Sequence, residues 1–224
     1  YEMYRHDYSV NRLTPNTSAT GLYKANYYVM NSDYRVYECL YNGADPANGG
    51  KGVISLQEPV HTDLQPRLES DGYIWKYLYT IKPSDIVKFD SAEFIPLPSD
   101  WSISTDTADV RNTAVDGRIE VIVIEDVTNA SYQFTGTKNN VPIKGDGAGG
   151  MASVTFVNGK PTAVQVTNGG TGYSFATLDL DSVVTGSGAS FTVIIPPPGG
   201  HGADIYRELG SNKVLIYSRL RTAM

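Results

Sequence analysis

The 224-residue chain has little of what many functional classes need, beginning with cysteine. Its single cysteine, Cys39, excludes an intrachain disulfide and fits folding in a reducing cytoplasm. Cys39 alternates with Tyr37 and Tyr41 in a strand-like run, which indicates a buried, inert thiol rather than a nucleophile. No apolar run approaches the roughly 18 residues that a transmembrane helix requires, and no signal peptide is apparent. The sequence therefore predicts no membrane partner.

Positive charge is also scarce. The net charge is −6 and the isoelectric point is about 5.0. The most basic stretch, near the C-terminal end, contributes only Arg219 and Arg221. Nucleic-acid-binding proteins usually carry a basic patch, so the sequence predicts no nucleic-acid partner.

Signals for catalysis or cofactor binding are missing as well. The glycines from Gly145 to Gly150 fit G-x-G-x-x-G, but a strand-like segment follows them where a dinucleotide site needs a helix. His6, His61 and His201 have no metal-ligand spacing. His201, set between glycines, is the best single candidate for a site, although we expect its imidazole to hydrogen-bond backbone in a tight turn. The sequence thus predicts no enzyme, metal, cofactor or small-molecule substrate.

Aromatic residues are what the chain has in excess. Twelve of its 16 tyrosines lie in the first 80 residues. The run from Asp71 to Ile81 places Tyr73, Trp75, Tyr77 and Tyr79 at alternate positions, so a strand would carry all four on one face. Such a face is typically buried against a core or a partner. We expect mostly core, with tyrosines from residues 1–41 left for a partner.

The amino-acid composition along the chain indicates an α+β, mainly β fold. We expect a Tyr-rich β scaffold domain with short helices over residues 1–115. A small inserted Gly/Val/Thr-rich β domain would cover 116–195, and 196–224 would return to the scaffold domain. Strong strand signals occur at Asp33–Tyr41 and Arg118–Val127.

Short motifs predict several local structures. Pro83–Phe89 is expected to form a short helix capped by Ser84, and Asn158-Gly159 a hairpin turn. Pro196–Gly202 must be irregular, with Gly199 and Gly200 free to adopt positive φ. A short helix over Asp204–Leu209, ended by Gly210, and a closing strand at Val214–Tyr217 complete the prediction.

Three blocks together resemble one known family. The blocks are Tyr34–Gly43, Ser70–Asp85 with its Asp-Gly-Tyr-Ile-Trp-Lys-Tyr core, and Pro197–Gly210 with Gly-Gly-His-Gly. In this order they look like the baseplate wedge subunit of T-even-type contractile-tailed bacteriophages, in the version of marine and cyanobacterial phages. The family protein is longer at its N-terminus, which suits a chain that begins with Tyr1 rather than Met.

The resemblance implies a non-enzymatic structural protein of the virion. It implies a homodimer that contacts other baseplate wedge proteins in the viral tail and is assembled in the host cytoplasm. The fold it implies is mixed, with β dominating. The structural or interface candidates are Tyr73, Trp75, Tyr77, Tyr79, Gly199, Gly200 and His201.

Two other functions compete with this one. In a carbohydrate-binding tail adhesin or receptor-binding module, exposed aromatic side chains would stack on sugars, so Trp75 would have to be solvent-accessible. A wall-degrading tail enzyme would need paired carboxylates or a metal in a cleft. The pair Asp179 and Asp181 is more simply explained by polar residues on the outer face of a strand.

Overall fold

A computed structural model describes residues 27–43, 52–103 and 108–219 of the chain. The protein is mainly β, with 39% strand, 9% helix and a few short helices, which confirms the coarse fold class. The strands are β1 (Tyr28–Met30), β2 (Arg35–Asn42), β3 (Arg67–Leu68), β4 (Tyr73–Thr80), β5 (Ile122–Asp126), β6 (Ser131–Tyr132), β7 (Gly136–Gly145), β8 (Ala148–Val157), β9 (Lys160–Thr171), β10 (Ala176–Leu178), β11 (Gly186–Ser187) and β12 (Ser190–Val193). The helices are α1 (Pro83–Phe89), α2 (Ala108–Thr113) and α3 (Ile205–Glu208).

Strands β1 to β4 form an antiparallel sheet in the order β1-β2-β4-β3, here called the Tyr-rich sheet. Its central strand β4 has six aromatic or β-branched residues among eight, and such residues favour strands. Glu38 lies opposite Lys76 and Cys39 opposite Trp75 in the register of β2 with β4. Two register shifts interrupt this pairing, so strict alternation does not hold along its whole length.

The two faces of the Tyr-rich sheet bury different chemistry. One face packs Tyr37, Cys39, Tyr73 and Trp75 into an aromatic cluster. On the other face, Leu40 of β2 packs against three apolar residues that lie in β5 or next to the ends of β5 and β12. Those residues are Val121, Val123 and Ile194. The sheet is therefore buried on both sides.

The glycine-rich part, β5 to β12, is here called the Gly-rich region. Its main sheet has the order β10-β7-β8-β9 and is antiparallel throughout. Asn158 and Gly159 connect β8 to β9 with φ of +50° and +76°, as a two-residue turn of the predicted kind requires. Strands β5 and β12 pair with each other, so the two ends of the region lie side by side.

Helix α1 has the predicted bounds but not the predicted cap. Lys82 is the N-cap residue and makes no side-chain capping bond, while Pro83 takes the first helical position. Proline has no N–H to satisfy there, so Ser84 is not needed as a cap. Helix α3 follows the prediction closely, with Gly210 at φ +63° after its end. None of the helices in the described ranges is long and apolar enough to cross a bilayer.

Two strand predictions are wrong in part. The strand expected over Arg118–Val127 begins only at Ile122, and the N–H of Ile119 before it donates to the carbonyl of Gly169 in β9. The segment 211–219, which includes the expected strand Val214–Tyr217, is not part of any sheet among the described residues. Side-chain contacts hold it instead: Lys213 lies over the ring of Phe94, and Tyr217 contacts the ring of Phe89.

Candidate functional site

A buried cluster of two carboxylates and one imidazole lies where β2 meets a turn and a short helix from a distant part of the chain. Glu38 belongs to β2, His201 to the Gly-Gly-His-Gly turn, and Glu208 is the last residue of α3. All three side chains are almost completely removed from solvent. We call these residues the Glu-His-Glu cluster. Because buried charged groups are costly unless they are paired, this position is the strongest candidate for a functional or structurally decisive site.

The backbone of the turn explains how His201 reaches the interior. Gly199, Gly200 and Gly202 have φ of +89°, +90° and +85°, which residues with a side chain rarely adopt. At Gly200 the chain also passes close to the backbone of Val115, so a Cβ there would lie 2.6 Å from the Val115 nitrogen. The glycines therefore allow both the turn and its close contact with the neighbouring segment.

Helix α3 positions Glu208 from the other side. The side chain of Asp204 accepts a hydrogen bond from the N–H of Arg207 at 3.2 Å and so caps the first turn. Ile205 and Leu209 of this segment are buried in the core cluster that contains Trp101. Burial of these two residues orients the helix so that Glu208 points inward.

The geometry of the cluster centres on one nitrogen atom. Nδ1 of His201 lies 2.7 Å from Oε1 of Glu208 and 3.2 Å from Oε2 of Glu38. The second oxygen of Glu208 accepts a hydrogen bond from the N–H of Gly202 at 2.8 Å. The imidazole thus connects β2 to the Gly-Gly-His-Gly turn and α3.

Electrostatics couple the three groups. Burial alone lowers the pKa of His201, but the carboxylates of Glu38 and Glu208 outweigh it and raise that pKa well above its ordinary value of 6.5. Burial raises the pKa of Glu208, and the nearby Glu38 raises it further. Both shifts favour the protonated forms, namely a charged imidazole on His201 and a neutral carboxyl on Glu208.

A second buried ion pair lies beside the cluster. Lys76 lies opposite Glu38 on the neighbouring strand. The Nζ of Lys76 is 2.9 Å from Oε1 of Glu120 and 2.5 Å from the carbonyl oxygen of Leu64. Both side chains of this pair are nearly buried. Lys76 therefore has its own carboxylate partner in Glu120.

The predicted aromatic residues are not members of this cluster. Tyr73 and Trp75 stack with ring centroids 5.4 Å apart, and Tyr77 contacts Tyr37 at 5.8 Å. Tyr79 packs instead against Trp101, in a different part of the core, at 6.1 Å. Tyr73, Trp75 and Tyr79 are buried, whereas Tyr77 is partly exposed. The four aromatics thus contribute to two core clusters rather than to one continuous stripe.

The expectation for His201 was wrong in its partner. The imidazole does sit in a tight glycine turn, but its Nδ1 binds two carboxylates rather than backbone. Of the other histidines, His61 lies on the aromatic side, with its ring 5.4 Å from that of Tyr37. His6 lies outside the described residues.

Sequence reasoning missed both carboxylates, although each left a signal. Glu38 shares a strand face with Val36 and Leu40, so a charged residue there interrupts an otherwise apolar face. Glu208 is an acidic residue at the C-terminal end of a helix, where the helix dipole disfavours negative charge. A carboxylate in an unfavourable place indicates a compensating partner, but the sequence does not name it.

Comparison with known proteins identifies no relative. No family model matches the chain, and neither curated proteins nor solved structures give a significant match.

Proposed function

We propose that this chain is a structural component of a contractile phage tail baseplate, namely a wedge subunit that holds neighbouring wedge proteins together during assembly and infection. One observation carries the proposal. The three blocks that resemble the wedge family, which are far apart in sequence, contact one another: β2 pairs with β4, and His201 binds Glu38. Residues that share a family signature are expected to be those that build the common core.

The burial of the aromatic block supports a scaffold role. Trp75 is only 1% exposed and is stacked against Tyr73 inside the sheet. A sugar-binding adhesin was expected to present Trp75 to solvent, so the aromatic residues that suggested this alternative do not form a platform. An adhesin would have to use other side chains.

An exposed apolar segment suits contacts with neighbouring proteins. In the segment 211–219, Val214 and Ile216 are 86% and 87% exposed. Exposed apolar residues that lie close together are typical of protein–protein interaction sites. The segment is extended and belongs to no sheet in the described part of the chain, so its backbone is available to pair with another chain.

Labelling of virions tests the location. Gold-labelled antibodies raised against the purified chain would be applied to virions of a phage that encodes it. We expect label at the end of the tail distal to the head. Label on the capsid, or mass spectrometry that finds no such protein in purified virions, would contradict the proposal.

Sedimentation tests the assembly state independently. The full-length protein at high micromolar concentration should sediment as a dimer or a larger species. A strictly monomeric mass under these conditions would count against a wedge subunit of this family.

A further inference from the structure

We propose that Glu38, His201 and Glu208 bind one divalent transition-metal ion, with Nδ1 of His201 and one oxygen of each carboxylate as its ligands. The three candidate ligand atoms lie within 4.8 Å of one another, and all three residues are buried. They come from a strand, a glycine turn and a helix, so an ion would join three separate elements.

The convergence of both carboxylates on one nitrogen is the main argument. A charged imidazole has two N–H groups that point in different directions, so two carboxylates bound only through protons are best placed one on each nitrogen. Here both Glu38 and Glu208 approach Nδ1. A single N–H can be shared between two acceptors only in a three-centre bond that points fully at neither, whereas an ion on Nδ1 can bind both oxygens.

The distances suit such an ion. Metal–nitrogen and metal–oxygen bonds of about 2.1 Å place neighbouring ligand atoms about 3 Å apart at octahedral angles and about 3.4 Å apart at tetrahedral angles. Nδ1 of His201 lies 2.7 Å from the oxygen of Glu208 and 3.2 Å from that of Glu38, so only small shifts are needed. The N–H of Gly202, which donates to the other oxygen of Glu208, supplies the outer hydrogen bond that orients a ligating carboxylate.

Charge balance is consistent with a divalent ion. Lys76 is already paired with Glu120, so it leaves Glu38 and Glu208 to other partners. With a neutral imidazole, a divalent cation exactly compensates two carboxylates. A shared proton with a charged imidazole is also neutral, and the experiment must separate the two.

The ligand types narrow the class of ion. One imidazole nitrogen with two carboxylate oxygens suits Zn²⁺, Mn²⁺ or Fe²⁺, whereas Mg²⁺ and Ca²⁺ prefer oxygen ligands alone. Because the residues are buried, the ion would stabilise the fold, and its loss would lower the melting temperature.

The test compares metal content and melting temperature of the whole chain. Protein purified without chelator is analysed by mass spectrometry for metals. It is then unfolded in urea and refolded with EDTA, Zn²⁺, Mn²⁺ or Mg²⁺. We expect about one Zn²⁺, Mn²⁺ or Fe²⁺ per chain. Excess Zn²⁺ or Mn²⁺ should raise the melting temperature by about 5–10 °C over the EDTA sample, with no such effect of Mg²⁺. If the purified protein held no metal and no added ion changed its melting temperature, the proposal would be overturned. The cluster would then be held together by a proton instead of an ion.

Variants locate the ion. His201→Gln and Glu208→Gln should each retain less than about a tenth of the bound metal. The control Asp146→Asn removes a carboxylate of the Gly-rich region that is not part of the cluster, and this variant should keep all of the bound metal. Metal retained by both cluster variants would place the ion elsewhere and contradict the assignment. Since these measurements use the isolated chain, they succeed or fail independently of the baseplate proposal.

Discussion

The Tyr-rich sheet and the main sheet of the Gly-rich region are both four-stranded and antiparallel. They differ in how far apart in sequence their interacting residues lie. In the Gly-rich region, β7, β8 and β9 follow one another and pair in sequence order. In the Tyr-rich sheet, Glu38 binds a residue 163 positions away, and Lys76 one that is 44 positions away. The comparison shows that the Tyr-rich sheet depends on interactions between charged side chains that only the complete fold brings together.

The largest expected effect comes from removing the imidazole. His201→Leu removes the charged group that both Glu38 and Glu208 contact in the interior, so the free energy of unfolding should fall by about 3–5 kcal/mol. Urea unfolding followed by circular dichroism measures this. The control is Lys144→Leu in the Gly-rich region, which removes an ion pair whose lysine is 65% exposed and should cost less than about 1 kcal/mol. Equal losses in the two variants would abolish the distinction between the regions.

The glycine turn gives the next largest effect. Gly199→Ala and Gly200→Ala both place a side chain at positive φ, which costs about 1–3 kcal/mol. Gly200→Ala should cost more, since its Cβ would meet the backbone of Val115, whereas at Gly199 the nearest contact is the side chain of Ala203 at 3.0 Å. Thermal melts of the two variants rank them. If both variants were as stable as the wild type, the strain account of the turn would be wrong.

The smallest effect concerns a local bond within the Gly-rich region. The hydroxyl of Ser174 and the N–H groups of Phe175 and Ser174 bind Asp146 and lower the pKa of its carboxyl from 3.8 to about 2. A depressed pKa stabilises the fold above the unfolded value and loses that contribution as the pH falls through the folded one. Asp146→Asn should therefore melt below the wild type at pH 7, and the gap should narrow below pH 4. A gap that stays constant down to pH 3 would contradict this.

Local structure could be predicted from sequence where one short segment decides the outcome. Pro83 and the turn Asn158-Gly159 fix α1 and the β8–β9 hairpin through backbone preferences alone. Gly210 likewise ends the segment of α3 as expected. The coarse class, mainly β, follows from many such signals acting together.

Structure that depends on a distant partner could not be predicted in the same way. The apolar segment at Val214 has strand-like composition but no strand beside it in the described part of the chain, and composition does not reveal that. The partner of His201 was missed because Glu38 and Glu208 approach it only after β2, the turn and α3 have packed. Register shifts in the pairing of β2 with β4 also explain why Tyr79 does not pack with Tyr73 and Trp75, although strict alternation along a strand predicted that it would.

Hydrogen exchange of Glu208→Gln tests the central claim most directly, because this milder change weakens the Glu-His-Glu cluster without removing its imidazole. The account predicts that amides of β2, β4 and residues 197–209 exchange at least about tenfold faster than in the wild type, while those of the β8–β9 hairpin are unchanged. Equal acceleration in both regions, or none at β2 and 197–209, would contradict the claim that the cluster holds the Tyr-rich sheet to the C-terminal turn and helix.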